Sequence, residues 1–237
     1  MGANVLAKKK KIGKKNIKED KLVTFYSKTL QYYEVYKNQV LIGAAALIVL
    51  IAAIVYFANQ SQKTEIEAAS ALAKAERTYQ SGNYQNVVDG VKPEGSLSLV
   101  EVVDKYSGTE AGEMARIYLA NSYFYIGDFE KALETYDDYS GSNKLYKATA
   151  LAGMAGCYEA MGQFDKAAKY FRDAANTYSN NALNSNYLLN AAVNYISSEK
   201  YSDAKSILET LKEKYTSSEE AREADRYLAE VKLHSKS

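Results

Sequence analysis

GDFEKALETY at residues 127–136 and GQFDKAAKYF at residues 162–171 decide how this chain folds. Both open on a glycine, follow with an aromatic two residues on, then an acid, a lysine and an alanine, and close on a second aromatic. Gly127 and Gly162 are 35 residues apart. A third copy, NYLLNAAVNYISSEKYSDAKSILETLKEKY over 186–215, sets Glu199 in the glycine position, 37 residues further on. A fainter copy, ASALAKAERTYQSGNYQNVVDGV over 69–91, carries Gly82, 45 residues before Gly127.

Each copy reads as a helix, a tight turn and a second helix. The first helix presents Leu119, Ala120 and Tyr123, then Met154, Ala155 and Tyr158, then Ala191, Ala192 and Tyr195, spaced for one buried face. A glycine ends it where a left-handed conformation is useful. The second helix begins at Phe129, Phe164, Tyr201 or, in the faint copy, Tyr84. Ala132, Ala167 and Ala204 stand where paired helices must approach closely, and Tyr136, Phe171 and Leu208 follow four positions on. Tyr106-Ser107, Tyr178-Ser179 and Tyr215-Thr216 precede polar stretches, and their hydroxyls are expected to cap the next helix. Pro93-Glu94-Gly95 reads as a loop, residues 97–106 as an extra helix, and 219–233 as a closing, polar-faced cap. The repeated aromatics are expected to be core.

One such hairpin cannot bury its apolar face alone, and stacking copies builds a continuous core. The pattern resembles the tetratricopeptide repeat family, whose unit is about 34 residues with this alanine, glycine and aromatic grammar. The likeness runs over roughly 66–234, with repeats near 66–91, 113–139, 148–178 and 185–215. The family's early tryptophan and terminal proline are absent. The resemblance implies an all-α solenoid of helical hairpins.

Working outward, the charge divides the 237 residues into three regions. Residues 1–39 hold ten lysines against Glu19, Asp20 and Glu34, a net of +7; residues 40–58 hold no charge; residues 59–237 carry −6. The uncharged stretch, VLIGAAALIVLIAAIVYFA, is 19 residues long, or roughly 28 Å as a helix, against a hydrocarbon core of about 30 Å. Eleven of its residues are Val, Leu, Ile or Phe. They favour insertion by about 3–7 kcal/mol in all. It has no polar face, so a membrane span is expected over a buried core helix. The lysine-rich leader is too long for a cleaved signal peptide. The cation excess before the span predicts a cytoplasmic N-terminus. KKKKIGKK at 8–15 is read as that topology signal, with lipid contact rather than nucleic-acid binding as its further use. Residues 19–39 are expected to extend the helix into the cytoplasm. The domain reading is therefore a tail at 1–39, a transmembrane helix at 40–58 and a repeat domain at 59–237.

Little points to chemistry. His234 is the sole histidine and Cys157 the sole cysteine. Neither a triad nor a metal cluster can be assembled around them, and Cys157 sits mid-helix as a packing residue. Acidic pairs such as Asp137-Asp138 and Glu219-Glu220 belong at helix ends. No catalytic residue, metal or cofactor is expected, and no enzyme.

The layout of lysine tail, single span and extracytoplasmic repeats also resembles the YfgM-type ancillary subunit of the bacterial Sec translocon, and tetratricopeptide membrane proteins of Bacteroidetes-like bacteria. That resemblance implies a bacterial inner membrane location with a periplasmic repeat domain. It implies translocon subunits, a periplasmic chaperone or exported polypeptide as partners, and membrane lipid along 40–58. A structural scaffold for an envelope complex is the alternative. In the repeat family the first helix of each pair lines the concave side. Carried over residue by residue, the groove would include Asn121, Phe124 and Tyr125, then Glu159, then Asn186 and Ile196. Replacing Phe124 and Tyr125 together is expected to abolish capture without unfolding the domain.

Overall fold

The computed structural model describes residues 21–92 and 94–234, and among them it contains ten helices and no strand. The lysine run at 8–15 and Pro93 lie outside the described residues. The chain divides into two compact units, residues 1–58 and 59–237.

In the first unit the described backbone is helical from Lys21, as part of α1 (Lys21–Gln80). The apolar run within it is exposed along its length, and none of its most apolar window is buried. This helix is long and apolar enough to cross a membrane. Tyr32 and Tyr36, one turn apart, meet with ring centroids 4.5 Å apart just before the run, and Tyr56 meets Phe57 at its end. Aromatic rings at both ends of a span suit the two lipid–water interfaces.

The second unit is a succession of helical hairpins. The last part of α1 is followed by a short α2 (Tyr84–Val88) and by α3 (Leu99–Lys105). Then come α4 (Glu110–Tyr125) with α5 (Phe129–Asp137), α6 (Lys144–Ala160) with α7 (Phe164–Thr177), and α8 (Asn184–Ser197) with α9 (Tyr201–Lys214). α10 (Glu219–His234) ends the stack. The alanines expected at close approaches, Ala132, Ala167 and Ala204, have no exposed surface, and Tyr136, Phe171 and Leu208 are buried beside them. Three apolar clusters run through the unit, centred on α1–α4, α4–α6 and α6–α10. Burying a Leu or Phe side chain contributes about 1.5–3 kcal/mol.

The turn inside each hairpin is the same object. Gly127 and Gly162 have φ of 83° and 73°, and Glu199 adopts 59° at the matching place. The next residue's N–H then reaches back to the helix: Asp128 to Tyr123 at 2.9 Å, Gln163 to Tyr158 at 2.8 Å, Lys200 to Tyr195 at 2.8 Å. This is the closing bond of a Schellman turn. The third copy therefore keeps the geometry without the glycine, at a cost of about 1–2 kcal/mol for a side chain in the left-handed region.

The expected caps are displaced. Ser107, Ser179 and Thr216 do not cap; Thr109 caps α4 and Ser218 accepts before α10, while α8 starts at Leu183 without a side-chain cap, the Leu183 N–H itself donating to Asn181. Each Tyr-Ser or Tyr-Thr pair belongs to the end of the preceding helix. Two to four further residues, such as Gly108 at φ 85°, turn the chain before the next helix begins. The extra helix near 97–106 is α3, started by a reciprocal bond pair between Ser98 and Glu101.

Two anchors fix α4. The Glu65 carboxylate on α1 accepts the N–H groups of Glu110 and Ala111 at 2.8 and 2.9 Å. This satisfies free donors at the positive end of the α4 dipole. On the opposite face Glu113, 1% exposed, accepts from the Gly108 and Ser140 N–H groups and the Ser140 hydroxyl, and pairs with Arg116 at 3.4 Å. One buried carboxylate thus joins the loop before α4 to the loop after α5.

Candidate protein-binding site

α4 carries residues at i, i+4, i+7 and i+11 on one outer stripe: Met114, Tyr118, Asn121 and Tyr125. The end of α1 and the start of α2 bring Tyr79 and Tyr84 against it. Tyr79 stacks on Tyr118 with centroids 4.7 Å apart, and Tyr84 stacks on Tyr125 at 4.5 Å. Tyr79 and Tyr84 meet at 5.5 Å, so four tyrosines form one ladder. Phe124 and Phe129 continue it edge-on. Stacked and edge-on pairs contribute about 0.5–1.5 kcal/mol beyond their burial. The ladder is thus held rigid while its end stays open, with Tyr125 59% exposed.

Burial raises the phenol of Tyr79 above its ordinary range. Burial and the nearby Glu76 carboxylate push that of Tyr118 up to about 12. At neutral pH Tyr79 and Tyr118 are therefore uncharged rings.

The expected lining residues divide. Asn121 is not free for a partner. Its amide donates to the Tyr79 hydroxyl at 3.3 Å, and its carbonyl accepts from the Tyr136 hydroxyl. Its role is to fix Tyr79. Phe124 is half-buried in the α4–α6 cluster, and a Cβ added to Gly156 of α6 would sit 3.5 Å from its ring. Replacing it opens packing between repeats, so the double substitution of Phe124 and Tyr125 would not leave the fold untouched. Tyr125 alone is the clean probe. Glu159 and Asn186 are exposed, the latter accepting from Asn190 at 3.1 Å, while Ile196 packs against the α6–α10 core. Among the described residues no ring contact or side-chain hydrogen bond joins these three to the ladder.

Tyr84, expected as core, is half-buried and shares the ladder with Tyr125, while Tyr79 and Tyr118 both join the ladder and pack against the α1–α4 cluster. Their signal in the sequence was the seven-residue step from Tyr118 to Tyr125, which keeps two rings on one helix face. The partner strip on α1–α2 lies across an irregular turn, where spacing gives no guide. Cys157 is buried in α6, and burial pushes its thiol up to about 12, the opposite of an activated nucleophile. His234 stacks on Tyr201 with centroids 4.8 Å apart.

Residues 113–180 match the tetratricopeptide repeat model. The match takes in α4 to α7, and the described fold is a tetratricopeptide-like helical repeat. Two crystal structures of a Podosopora anserina protein assigned as a kinesin light chain, with nearly identical TPR-like repeats, are similar to the chain. One aligns at TM-score 0.47 and 16% identity over 70% of this chain and 93% of that one. A point variant aligns at 0.46 and 16% over 70% and 92%. No curated protein matches. Tetratricopeptide repeats in general serve as protein-interaction modules.

Proposed function

We propose that this chain is a single-pass membrane protein of the bacterial inner membrane, with a cytoplasmic lysine-rich tail and a periplasmic repeat domain spanning 59–237. The domain holds newly exported polypeptide, or the chaperone that carries it, beside the translocon. The observation that supports a binding role is the tyrosine ladder. It is braced from below by Asn121 and Tyr136 and open at Tyr125, so it offers flat apolar area with little ordering cost. The lysine asymmetry around residues 40–58 supports the orientation, and the layout's resemblance to the YfgM-type subunit supports the translocon.

Two experiments test this. An alkaline phosphatase fusion after Ser237 is expected to be active, and a fluorescent protein that folds only in the cytoplasm is expected to stay dark there. Co-purification in mild detergent is expected to bring translocon and foldase subunits, and Tyr125→Ala to lose them. Recovery of a fixed set of envelope proteins, insensitive to Tyr125, would favour a scaffold instead.

A further inference from the structure

Beside the ladder, α1 and α4 border an open hollow of about 270 Å³. Small-molecule sites run to about 300–1,000 Å³, so this one is sized for a single side chain. Leu72, which is buried, and Met114 give it an apolar base, and Glu76 and Glu110 also line it. Both carboxylates have acceptor capacity to spare. Glu110 accepts one bond, from the Asn143 amide at 2.6 Å, and Glu76 lies near the Tyr118 phenol. Among the described residues neither is in an ion pair. The third carboxylate of the hollow, Glu65, is already engaged by the α4 backbone. An apolar base with unneutralised carboxylates beside it is complementary to one kind of side chain, a long aliphatic stem ending in a cation. An acidic residue there would meet like charge in a partly desolvated place.

We infer that this hollow receives a lysine or arginine side chain of an extended polypeptide lying along the tyrosine ladder, its stem on Leu72 and Met114 and its cation neutralised by Glu76 and Glu110. The inference rests on the ladder being the capture surface and adds what the captured segment must contain. Aromatic faces next to the hollow favour the same cation through their ring quadrupoles. The domain thereby selects basic, apolar stretches and rejects acidic ones.

The test uses the full chain in lipid nanodiscs and fluorescein-labelled dodecapeptides of one extended apolar sequence, carrying Lys, Arg, Gln or Glu at the centre. Anisotropy should show the Lys and Arg peptides binding about tenfold tighter than the Gln peptide, the worth of one charge-assisted contact, and the Glu peptide binding weakest. Glu76→Gln should bring the Lys and Gln peptides to within about twofold of each other. Glu76→Lys should reverse the preference towards the Glu peptide. Tyr125→Ala should weaken all four by a common factor. If the Lys and Gln peptides bind the wild type alike, or the preference survives Glu76→Gln, the basic-residue inference is wrong while the ladder stands. If no peptide binds the wild type, the ladder reading falls and takes the inference with it.

Discussion

α4 and α8 open hairpins of the same grammar and spend their outer faces differently. Towards the core they are alike: Ala115, Leu119 and Ala120 on one, Leu188, Ala191 and Ala192 on the other, all buried. Away from it α4 shows Tyr118 and Tyr125 in a rigid ladder, while α8 shows Asn186 bonded to Asn190. The repeat grammar governs what faces the neighbouring helices and leaves the other stripe unconstrained. One end of the stack is therefore free to become a binding face while the other serves as support.

The contrast can be broken at its strongest point first. Glu113 is the buried charge that holds α4 between two loops, whereas Asp165, half-exposed on α7, bridges Lys169 and Lys200 in the second half. Glu113→Ala leaves Arg116 without its buried partner and should cost about 3–5 kcal/mol. For a domain of this size that is a fall in Tm of about 6–20 °C by calorimetry. Asp165→Ala should cost about 1 kcal/mol or less. Equal losses would erase the distinction between a pinned and a loosely held half.

Gly153 of α6 comes next. A Cβ there would lie 2.3 Å from the Tyr136 ring, which itself braces Asn121 under the ladder. Gly153→Ala should therefore destabilise by about 1–3 kcal/mol through overpacking, and should also weaken binding at Tyr125. At Gly156, where the added Cβ would make an ordinary contact, the same change should be mild.

Exchanging the turn residues sharpens the comparison between copies. Glu199→Gly should stabilise by about 0.5–1 kcal/mol, because relief of the left-handed strain exceeds the added freedom of the unfolded chain. Gly127→Glu should lose a similar amount. Chemical denaturation of the full chain in detergent reads both.

A further effect is alkaline. Tyr79, Tyr118, Tyr136, Tyr139, Tyr170 and Tyr187 are all held above the ordinary phenol range, chiefly by burial. A phenol raised in the folded state is neutral in both states below about pH 10, and only the unfolded one ionises just above it. Stability should hold up to pH 10 and fall as pH rises towards 12. A rise in stability across that window would contradict the burial of these rings.

Much of the fold was legible because period and punctuation are local. Gly127, Gly162 and the alanines at 132, 167 and 204 state the hairpin outright, and an uncharged run of 19 residues states its own length. The caps were less legible. Thr109 and Ser218 lie two residues beyond Ser107 and Thr216, and only backbone geometry separates a helix end from the next helix start. The site was the least legible part. Tyr125 could be placed on the outer face of α4, but its partner Tyr84 lies 41 residues away across the irregular α2–α3 segment. That Asn121 and Phe124 are engaged inside the domain depends on Tyr79, Tyr136 and Gly156, which no spacing rule brings to them.

The most direct measurement places a photo-reactive p-benzoylphenylalanine at position 125 in the intact membrane, with a second chain carrying it at position 205 on exposed α9 as the control. Light should join position 125 to exported polypeptide or its chaperone and leave position 205 unjoined, with Glu76→Lys lowering the yield at 125. Equal adducts from the two positions, or adducts only from 205, would show that the tyrosine ladder is not where this protein grips its partners.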